Sequence, residues 1–387
     1  MTENNDAPAS INETDDSDAP AHDVVQISVF GKGYGEAIAI HVGDGRWLTI
    51  DSVAYGSGSV TKTYLERLNV TLADQVDLII ATHWHDDHVR GIGDLFNAST
   101  NTEFVFPQAM LNDEFIRFAA AFQGQSSKKF STGVEEFGKV LTTARSRLKP
   151  GTTWPLRTSA NGYVGYRKAA GKLSHGQVVS LEALSPSHFD VAAFLARVSG
   201  VAPDPRVLQR APTYGRNDVS SAFWLQIGED AVLLGADVEN NAHENSGWNA
   251  VLSSSTLPTA KARLVKIPHH GGASGHHNGM WTDLLVEQPI ATLTPWSKGV
   301  GKLPSKADIQ RLTTLAGAAF STGPAVLGKE PNQPTVVAKV LKKDNVALRR
   351  VADALGHVRH RAEINGGPLV WRTELFGQAC NLAAMAA

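Results

Sequence analysis

Residues 82–88 constrain this chain more than any other part of its sequence. They read Thr-His-Trp-His-Asp-Asp-His and follow residues 76–81, a short apolar run that is typical of a buried strand. Every second side chain along a strand points to the same side. His83 and His85 are two residues apart, so they are predicted to chelate one cation. The following aspartate–histidine pair, at the turn of the chain, is predicted to face a second cation. The candidate ligands of this cassette are His83, His85, Asp87 and His88.

The metal must be one that histidine and carboxylate can hold. The chain has a single cysteine, Cys380, which supplies neither a disulfide framework nor a cysteine-based metal site. Imidazole combined with carboxylate suits zinc, and also manganese or iron. We therefore predict two divalent metal ions, with zinc as the first choice.

Two carboxylates at predicted strand ends are further candidates. Residues 221–227 and 231–237 are predicted to form a hairpin, and its second strand ends at Asp237, a candidate ligand. Asp51 ends another predicted strand. It is placed to accept a hydrogen bond from a ligand imidazole, because metal-binding histidines use their second ring nitrogen in this way. A turn-forming aspartate is an equal alternative at this position.

Paired histidines follow a predicted strand over residues 262–268. The sequence there continues His-His-Gly-Gly, and the glycines allow the backbone to come close to a metal. His270, directly before the first glycine, is the first choice as a ligand. His269 is then a substrate contact or a general acid, and the two roles are open to exchange. His276 and His277 are predicted to lie in the loop or at the rim.

Composition sets the limits of the fold. A chain of 387 residues with 42% hydrophobic side chains can bury a full core, in one large α/β domain with insertions or in two domains. Residues 1–23 hold seven acids and no lysine or arginine, which predicts a disordered tail. The remaining balance of 36 basic and 31 acidic side chains is too even to predict nucleic-acid binding by itself. The sequence has no bilayer-crossing run and no secretory signal, which predicts a cytoplasmic protein.

The cassette resembles the signature of the metallo-β-lactamase superfamily. Further motifs are similar to the hydrolase domain of the DNA-uptake channel protein ComEC and its soluble relatives; they are residues 30–38, 217–221, 233–237, 267–271, 293–296 and 303–309. The resemblance covers most of residues 24–325 in outline. It implies an α+β fold over residues 24–387, a four-layer αβ/βα sandwich with metals at one sheet edge. It also implies that Asp237 bridges both cations, and the ComEC domain is regarded as a DNA-degrading enzyme.

The resemblance further implies a third histidine for the first metal, from a loop after a strand. His188 is the candidate for this position, and His175 is the alternative. The Gly-His-Thr pattern common at this point is absent, so a water or another loop residue is also open. Residues 302–303 are Lys-Leu where the ComEC pattern has Gly-His, so a histidine that could serve the site is missing.

A long segment distinguishes the chain from a minimal fold. Residues 112–122 and 133–144 have helical apolar spacing and are predicted to form a helical lid, inserted at about residues 100–215. The cations in this segment could present charge to phosphates, although a solvated helical face explains them better; they are Lys128, Lys129, Arg145, Arg147 and Lys149. Residues 356–361 and 368–375 are predicted strands that close one sheet or line the cleft.

These observations favour a metal-dependent hydrolase, a phosphodiesterase or nuclease that uses a hydroxide bridging two divalent metals. Asp87 and Asp237 are predicted to orient the hydroxide, and His269 or a water to protonate the leaving oxygen. The expected partner is a small-molecule or nucleic-acid phosphodiester. One alternative is a hydrolase of carboxylic esters, thioesters or lactams on the same fold, and a more distant one is a di-metal redox or sensing protein.

Overall fold

The computed structural model describes most of the chain. The described residues are 10–11, 16–55, 58–111, 132–151, 153–198, 217–298, 301–324 and 355–385.

The described residues contain nineteen strands. In chain order they are β1 (Ser10–Ile11), β2 (Val24–Gly31), β3 (Ala37–His41), β4 (Trp47–Ile50), β5 (Ala54–Tyr55), β6 (Gly58–Ser59), β7 (Val76–Ile80), β8 (Glu103–Pro107), β9 (Leu156–Ser159), β10 (Val164–Lys168), β11 (Val179–Ala183), β12 (Phe223–Ile227), β13 (Asp230–Leu234), β14 (Ala262–Lys266), β15 (Leu285–Leu293), β16 (Ala318–Ser321), β17 (Gly356–Glu363), β18 (Arg372–Gly377) and β19 (Cys380–Asn381).

The α-helices of the described residues lie between these strands. They are α1 (Val60–Arg67), α2 (Leu72–Gln75), α3 (Asp86–Val89), α4 (Ile92–Ala98), α5 (Thr132–Arg147), α6 (His188–Val198), α7 (Gly247–Leu252) and α8 (Lys306–Leu315). Short 3-10 turns occur at Gln108–Met110, His269–Gly271, Ala273–Gly275 and Leu382–Met385, and a single π turn at Met280–Leu284.

The strands form two large mixed sheets. The first has nine strands in the order β1-β18-β17-β2-β3-β4-β7-β8-β9, and the second has eight in the order β10-β11-β12-β13-β14-β15-β16-β19. The ribbon of β5 and β6 stands apart from both. The predicted hairpin at residues 221–237 is confirmed, because β12 and β13 pair antiparallel with Phe223 opposite Leu234.

The two sheets pack face to face over a shared hydrophobic core. On β2, the alternating residues Val25, Ile27 and Val29 point into this core, as the period of a strand requires. Leu225 and Val232 reach the same core from the second sheet. The helices supply the outer layers: α1, α4 and α5 pack on the outer face of the first sheet, and α7 and α8 on that of the second. The predicted four-layer sandwich is therefore confirmed.

The predicted lid at about residues 100–215 requires a correction. Four strands lie inside this segment, β8 and β9 in the first sheet and β10 and β11 in the second. Helix α5 contains the predicted helix over residues 133–144, but its apolar face is buried on the first sheet through Phe137 and Val140. The described parts of the segment at about residues 100–215 thus belong to the sandwich, because their apolar faces fill the core. The other predicted lid helix, residues 112–122, lies outside the described residues.

Part of the predicted acidic tail is also bound to the fold. Residues 10–11 pair in parallel with β18, and Asp18 Oδ1 lies 2.7 Å from Nη1 of Arg359 on β17. The Arg359 side chain is only 2% exposed and contacts Glu374 as well. Because a buried guanidinium needs carboxylate partners, the contact between Asp18 and Arg359 holds this part of the tail on the sheet. β17 and β18 extend the first sheet beside β2. The C-terminal strands were predicted either to close one sheet or to line the cleft, and the structure shows the first of these roles.

The described part of the chain contains no helix that is both long and apolar enough to cross a membrane.

A buried histidine of the first sheet links stability to pH. The Nδ1–H group of His41 donates to the carbonyl of Val24 at 2.7 Å, and Nε2 accepts from the N–H of Gly45 at 2.9 Å. Both ring nitrogens are therefore used by the neutral imidazole. Burial is the main cause that lowers the pKa of His41 to about 4.

We predict that the free energy of unfolding decreases as the pH falls from about 6.5 towards 4. In this window the unfolded chain binds a proton at His41 and the folded chain does not, a slope of about 1.4 kcal/mol per pH unit for each such group. The variant His41→Gln keeps a donor and an acceptor but cannot titrate. Urea denaturation should give it a shallower pH slope between pH 6.5 and 4.5, and a slope equal to that of the unmodified protein would contradict the prediction.

Candidate metal centre

The candidate ligands lie at the carboxyl ends of four strands, two from each sheet. Asp51 follows β4 and the cassette follows β7, which are parallel neighbours. Asp237 follows β13 and His270 follows β14, which are parallel neighbours in the second sheet. Because the carboxyl ends of parallel strands meet at one sheet edge, the fold collects these side chains at one edge of the sandwich.

A group of four residues forms the first candidate ligand set: Asp87, His88, Asp237 and His270. Nε2 of His270 lies 3.4 Å from Asp87 Oδ2 and 3.7 Å from Asp237 Oδ2. Nε2 of His88 lies 3.6 Å and 3.5 Å from the same two oxygens. Ligand atoms at about 2.1 Å from a tetrahedral zinc are about 3.4 Å apart, so this group has the spacing of a coordination sphere.

A second set combines His83, His85 and Asp237. Nε2 of His83 lies 3.8 Å from Asp237 Oδ2 and 2.8 Å from Nδ1 of His85. Asp237 is therefore common to both sets. This is the placement of a carboxylate that contacts two cations, and the second set leaves room for a further ligand beside its three protein donors.

The unpaired atoms of the cluster fit a metal. Nε2 of His88 and Oδ1 of Asp237 are buried and have no hydrogen-bond partner. A buried polar atom without a partner costs about 1–3 kcal/mol, which a bound cation would offset at both positions. Both belong to the four-residue set, so the chemistry of the donors and the unpaired atoms point to the same place.

The charges of the cluster call for a cation as well. Burial raises the pKa of Asp237, but the imidazoles of His88 and His270 outweigh burial and hold that pKa well below its ordinary value. For Asp87 the same imidazoles have the same effect on the pKa. Burial is the main cause that holds the pKa of His83 well below 6.5, so its lone pair is available to a metal. Burial lowers the pKa of His88, but Asp237, Asp51 and Asp87 outweigh burial and raise that pKa well above 6.5. The buried carboxylates thus draw positive charge to this position, and a divalent cation bound by histidine and carboxylate would supply it in place of the proton.

Hydrogen bonds fix the ligand histidines from behind. Nδ1 of His88 lies 2.6 Å from Oδ2 of Asp51, so the carboxylate accepts from the ligand ring as predicted. Thr82 donates to the two oxygens of Asp51 through its N–H and its hydroxyl, each at 2.7 Å. His270 donates from Nδ1 to the carbonyl of Thr294 at 2.9 Å. The rings are thereby oriented with Nε2 towards the centre.

Backbone strain concentrates at this centre. Non-glycine residues with a left-handed φ include Asp51 at 59°, Ala236 at 45°, His269 at 45° and His270 at 54°. Each such residue costs about 1–3 kcal/mol and persists only where the surroundings enforce it. Ala236 directly precedes Asp237, so all four strained positions either supply a site residue or adjoin one.

His269 lines the cavity outside the candidate ligand groups and is held by a carboxylate. Its Nδ1 lies 2.8 Å from Glu239 Oε1 and 2.7 Å from the hydroxyl of Ser274. Burial lowers the pKa of His269, but Glu239 and the nearby Asp237 outweigh burial and raise it. Nε2 lies 3.3 Å from the side-chain amide of Asn217. The structure thus separates the paired histidines, because His270 belongs to a candidate ligand group and His269 does not.

The predicted third ligand is not at this centre. His188 is the exposed first residue of α6 and belongs to none of the ligand groups that the described residues form. It is removed from the candidate set, because a helix start on the surface cannot reach the buried cluster. His175 bonds to the carbonyl of Val42 instead. His276 and His277 pair with Asn278 and Asn249 in the loop, as predicted.

A cavity of about 550 Å³ opens beside the ligands. His85 and Asp87 of the cassette line it together with both remote ligand candidates; its lining comprises Tyr34, His85, Asp86, Asp87, Arg90, Asp237, His269, His270, Trp296, Lys298, Gly301 and Leu303. The predicted site residues other than His188 therefore lie in this cavity or directly beneath it.

Several functional candidates were not found from the sequence. Glu239 holds His269, and Thr294 orients His270, but each is a single polar residue in a loop with no spacing signal. Glu36 and Lys266 form a buried ion pair under the site. Thr294 donates its hydroxyl to Glu36 at 2.7 Å, which ties this pair to the ligand loop. Glu36 lies within residues 30–38, one of the stretches that resemble the ComEC domain.

Comparison with known proteins finds a family for about a third of the chain. Residues 33–158 match the family model described as Metallo-beta-lactamase superfamily. The match runs from the β2–β3 loop to β9 and includes the whole cassette. This part of the chain is therefore similar to that superfamily. A comparison with curated proteins found no significant match.

Several solved structures are similar to this chain at low sequence identity. MEM-A1, a subclass B3 metallo-beta-lactamase from a soil metagenome library, is 16% identical with a TM-score of 0.31, over 69% of this chain and 87% of that one. The metallo-beta-lactamase SMB-1 is 12% identical with a TM-score of 0.33, over 66% and 82%. Zinc-bound PqqB from Methylobacterium extorquens is 11% identical with a TM-score of 0.27, over 76% and 78%. Similarities this weak say nothing about the substrate of this chain.

We predict that metal content follows the ligand sets. Asp237→Asn, which weakens the residue common to both sets, should reduce two equivalents of divalent metal to fewer than one. His270→Ala, which removes one ligand of one set, should leave about one. Inductively coupled plasma mass spectrometry after dialysis measures this, and His188→Ala is the matched control because it removes an exposed histidine. Fewer than one equivalent in the unmodified protein would contradict the whole assignment.

Proposed function

We propose that this protein is a metal-dependent hydrolase of phosphodiesters that uses two divalent metal ions, zinc first. The observation that carries the proposal is the sharing of Asp237 between two ligand sets. Two cations joined in this way suit the entering and leaving oxygens of an in-line displacement at phosphorus. The superfamily match supports hydrolysis, and the sequence resemblance to the ComEC hydrolase domain supports a nucleotide or nucleic-acid substrate.

The ligand sets define which residues would hold the metals. One cation would be bound by His83, His85 and Asp237, and the other by Asp87, His88, Asp237 and His270. Two divalent cations bound there supply hydroxide near neutral pH and polarise a phosphoryl oxygen.

The carboxylates of the centre have a second role towards the nucleophile. Asp87 lines the cavity and is fixed by the α3 turn, while Asp237 reaches the same space from the opposite sheet. In this role their oxygens, which both lie within 3.7 Å of Nε2 of His270, would accept a hydrogen from the attacking water and orient its attack. The buried hydrogen bond from His88 to Asp51 keeps this arrangement rigid.

His269 is the group best placed to protonate the leaving oxygen. It lines the cavity and is not needed as a ligand, because His270 fills that role. Glu239 accepts from its Nδ1–H, which leaves the Nε2 side towards the cavity and Asn217. A histidine oriented by a carboxylate in this way is a typical general acid.

We predict that the metal-containing protein hydrolyses phosphodiester bonds and releases phosphomonoester products from a panel of single-stranded DNA, RNA and cyclic dinucleotides. His85→Ala should lower kcat/KM by at least about 100-fold, since one metal set loses a donor. His188→Ala should retain the activity. Product analysis by liquid chromatography checks this, and chelation should abolish turnover in both active proteins.

The same panel includes carboxylic esters, thioesters and lactams. Turnover of one of these without any hydrolysis of phosphodiesters would assign the site to a hydrolase of carboxylic esters, thioesters or lactams. Metal binding with no hydrolysis across the panel would indicate a redox or sensing protein.

We further predict that His269→Gln acts through the leaving group. The kcat for a dinucleotide, whose leaving alkoxide needs a proton, should fall by about 10²–10⁴-fold. The kcat for bis(p-nitrophenyl) phosphate should fall much less, because nitrophenolate leaves without protonation. Glu239→Gln should show the same pattern more weakly, and metal content should stay at two equivalents in both. Equal losses on the two substrates would contradict the general-acid role.

A further inference from the structure

We propose that Tyr34, Lys298 and Arg90 form an anion subsite beside the metal centre, which binds a second phosphate of the substrate next to the scissile one. This inference rests on the proposed phosphodiesterase function and deepens it by specifying the substrate class. The three residues share one wall of the cavity that contains the ligands.

The position of Tyr34 is set by its loop. The flanking glycines, Gly33 and Gly35, have φ values of 82° and 83°, which side chains rarely allow. A Cβ at Gly35 would lie 2.7 Å from Val53 and 3.0 Å from the carbonyl of Asp87. The carbonyl of Gly33 accepts from the N–H of Ser297 at 2.7 Å. The loop is thus clamped between the cassette and the 295–298 loop, so Tyr34 has a defined place at the cavity.

Cations surround the Tyr34 side chain. The Nζ of Lys298 lies 3.3 Å from the centroid of its ring, and the Nζ of Lys32 lies 4.8 Å from it. Burial raises the pKa of Tyr34, but a hydrogen bond from Lys32 and the charges of Lys298, Lys32 and Arg90 outweigh it and lower that pKa. A phenol hydroxyl in a positive environment is a strong donor to an anion.

The carboxylates of the cavity are engaged away from Tyr34 and its neighbouring cations. Asp86 also lines the cavity, but its Oδ1 accepts from the N–H of Gly133 at 2.8 Å, at the start of α5. The carboxylates of Asp87 and Asp237 face the metals. The Tyr34 wall is therefore the side where an anion meets cations and a hydroxyl, and a cation would be repelled there.

Trp296 lines the same cavity and provides an aromatic part of its wall. Trp296 lies with its ring centroid 5.6 Å from that of the ligand His270, at 32° between the ring planes. The backbones of Trp296 and Leu303 bond to each other in both directions at 2.8 Å, which fixes the wall. A half-buried indole is a stacking surface for a planar ring. The cavity thus combines a reacting centre, an anion subsite and a stacking wall, as a nucleotide with two phosphates requires.

Ligands that cannot be hydrolysed as phosphodiesters test the subsite directly. Thymidine 3′,5′-bisphosphate and thymidine 3′-monophosphate are titrated into the metal-containing protein by calorimetry. We expect the bisphosphate to bind about tenfold more tightly, the effect of one charge-assisted hydrogen bond. In Tyr34→Phe and in Lys298→Gln the ratio should shrink to about twofold or less. Lys172→Gln, which removes an exposed charge outside the cavity, should keep the tenfold ratio.

The outcomes separate this inference from the proposed function. A tenfold ratio that survives both substitutions, or no preference in the unmodified protein, overturns the subsite even where phosphodiesters are hydrolysed. A ratio lost in Tyr34→Phe and Lys298→Gln supports the subsite whatever the hydrolysis panel shows. If the panel then yields only ester or lactam products, the subsite holds a remote carboxylate of that substrate, and the phosphodiesterase assignment alone fails.

Discussion

The centre depends on two buried carboxylates that face each other across the sandwich. Asp87 comes from the first sheet and Asp237 from the second, and an oxygen of each lies within 3.7 Å of the same nitrogen of His270. Two ionised carboxylates so close repel each other unless positive charge lies between them. A cation there would bond both sheets together, so metal binding and the closing of this sandwich edge would be one event.

The cassette could be predicted from the sequence because its geometry is local. His83, His85 and His88 follow one strand within six residues, so the strand period and the turn decide where they point. Asp237 and His270 were found for a related reason: each follows a strand, and strand ends meet at one edge. Position along the chain was sufficient in these cases, since a single element determines each side chain.

The features that were missed depend on tertiary structure. His188 was chosen because it follows a strand, but helix α6 begins at that residue and carries its side chain to the surface. Glu239 acts only through His269, a partner 30 residues away that no pattern connects to it. The acidic tail had the composition of a disordered segment. Its described residues 16–23 are bound to the fold nevertheless, because Asp18 contacts Arg359, which lies more than 300 residues later in the chain.

The left-handed backbone at His269 and His270 places one loop for both of the roles proposed for it. In an extended strand, consecutive side chains would point to opposite faces of the sheet, and one histidine would leave the cavity. With φ values of 45° and 54° the loop instead turns tightly, and both rings line the same cavity in different directions. The following Gly271, at 80°, completes the turn. The strain is stabilised by contacts that are themselves functional, since Glu239 holds one ring and the Thr294 carbonyl holds the other. A substitution that relaxed this turn would therefore uncouple metal binding from proton transfer before it unfolded the sheet.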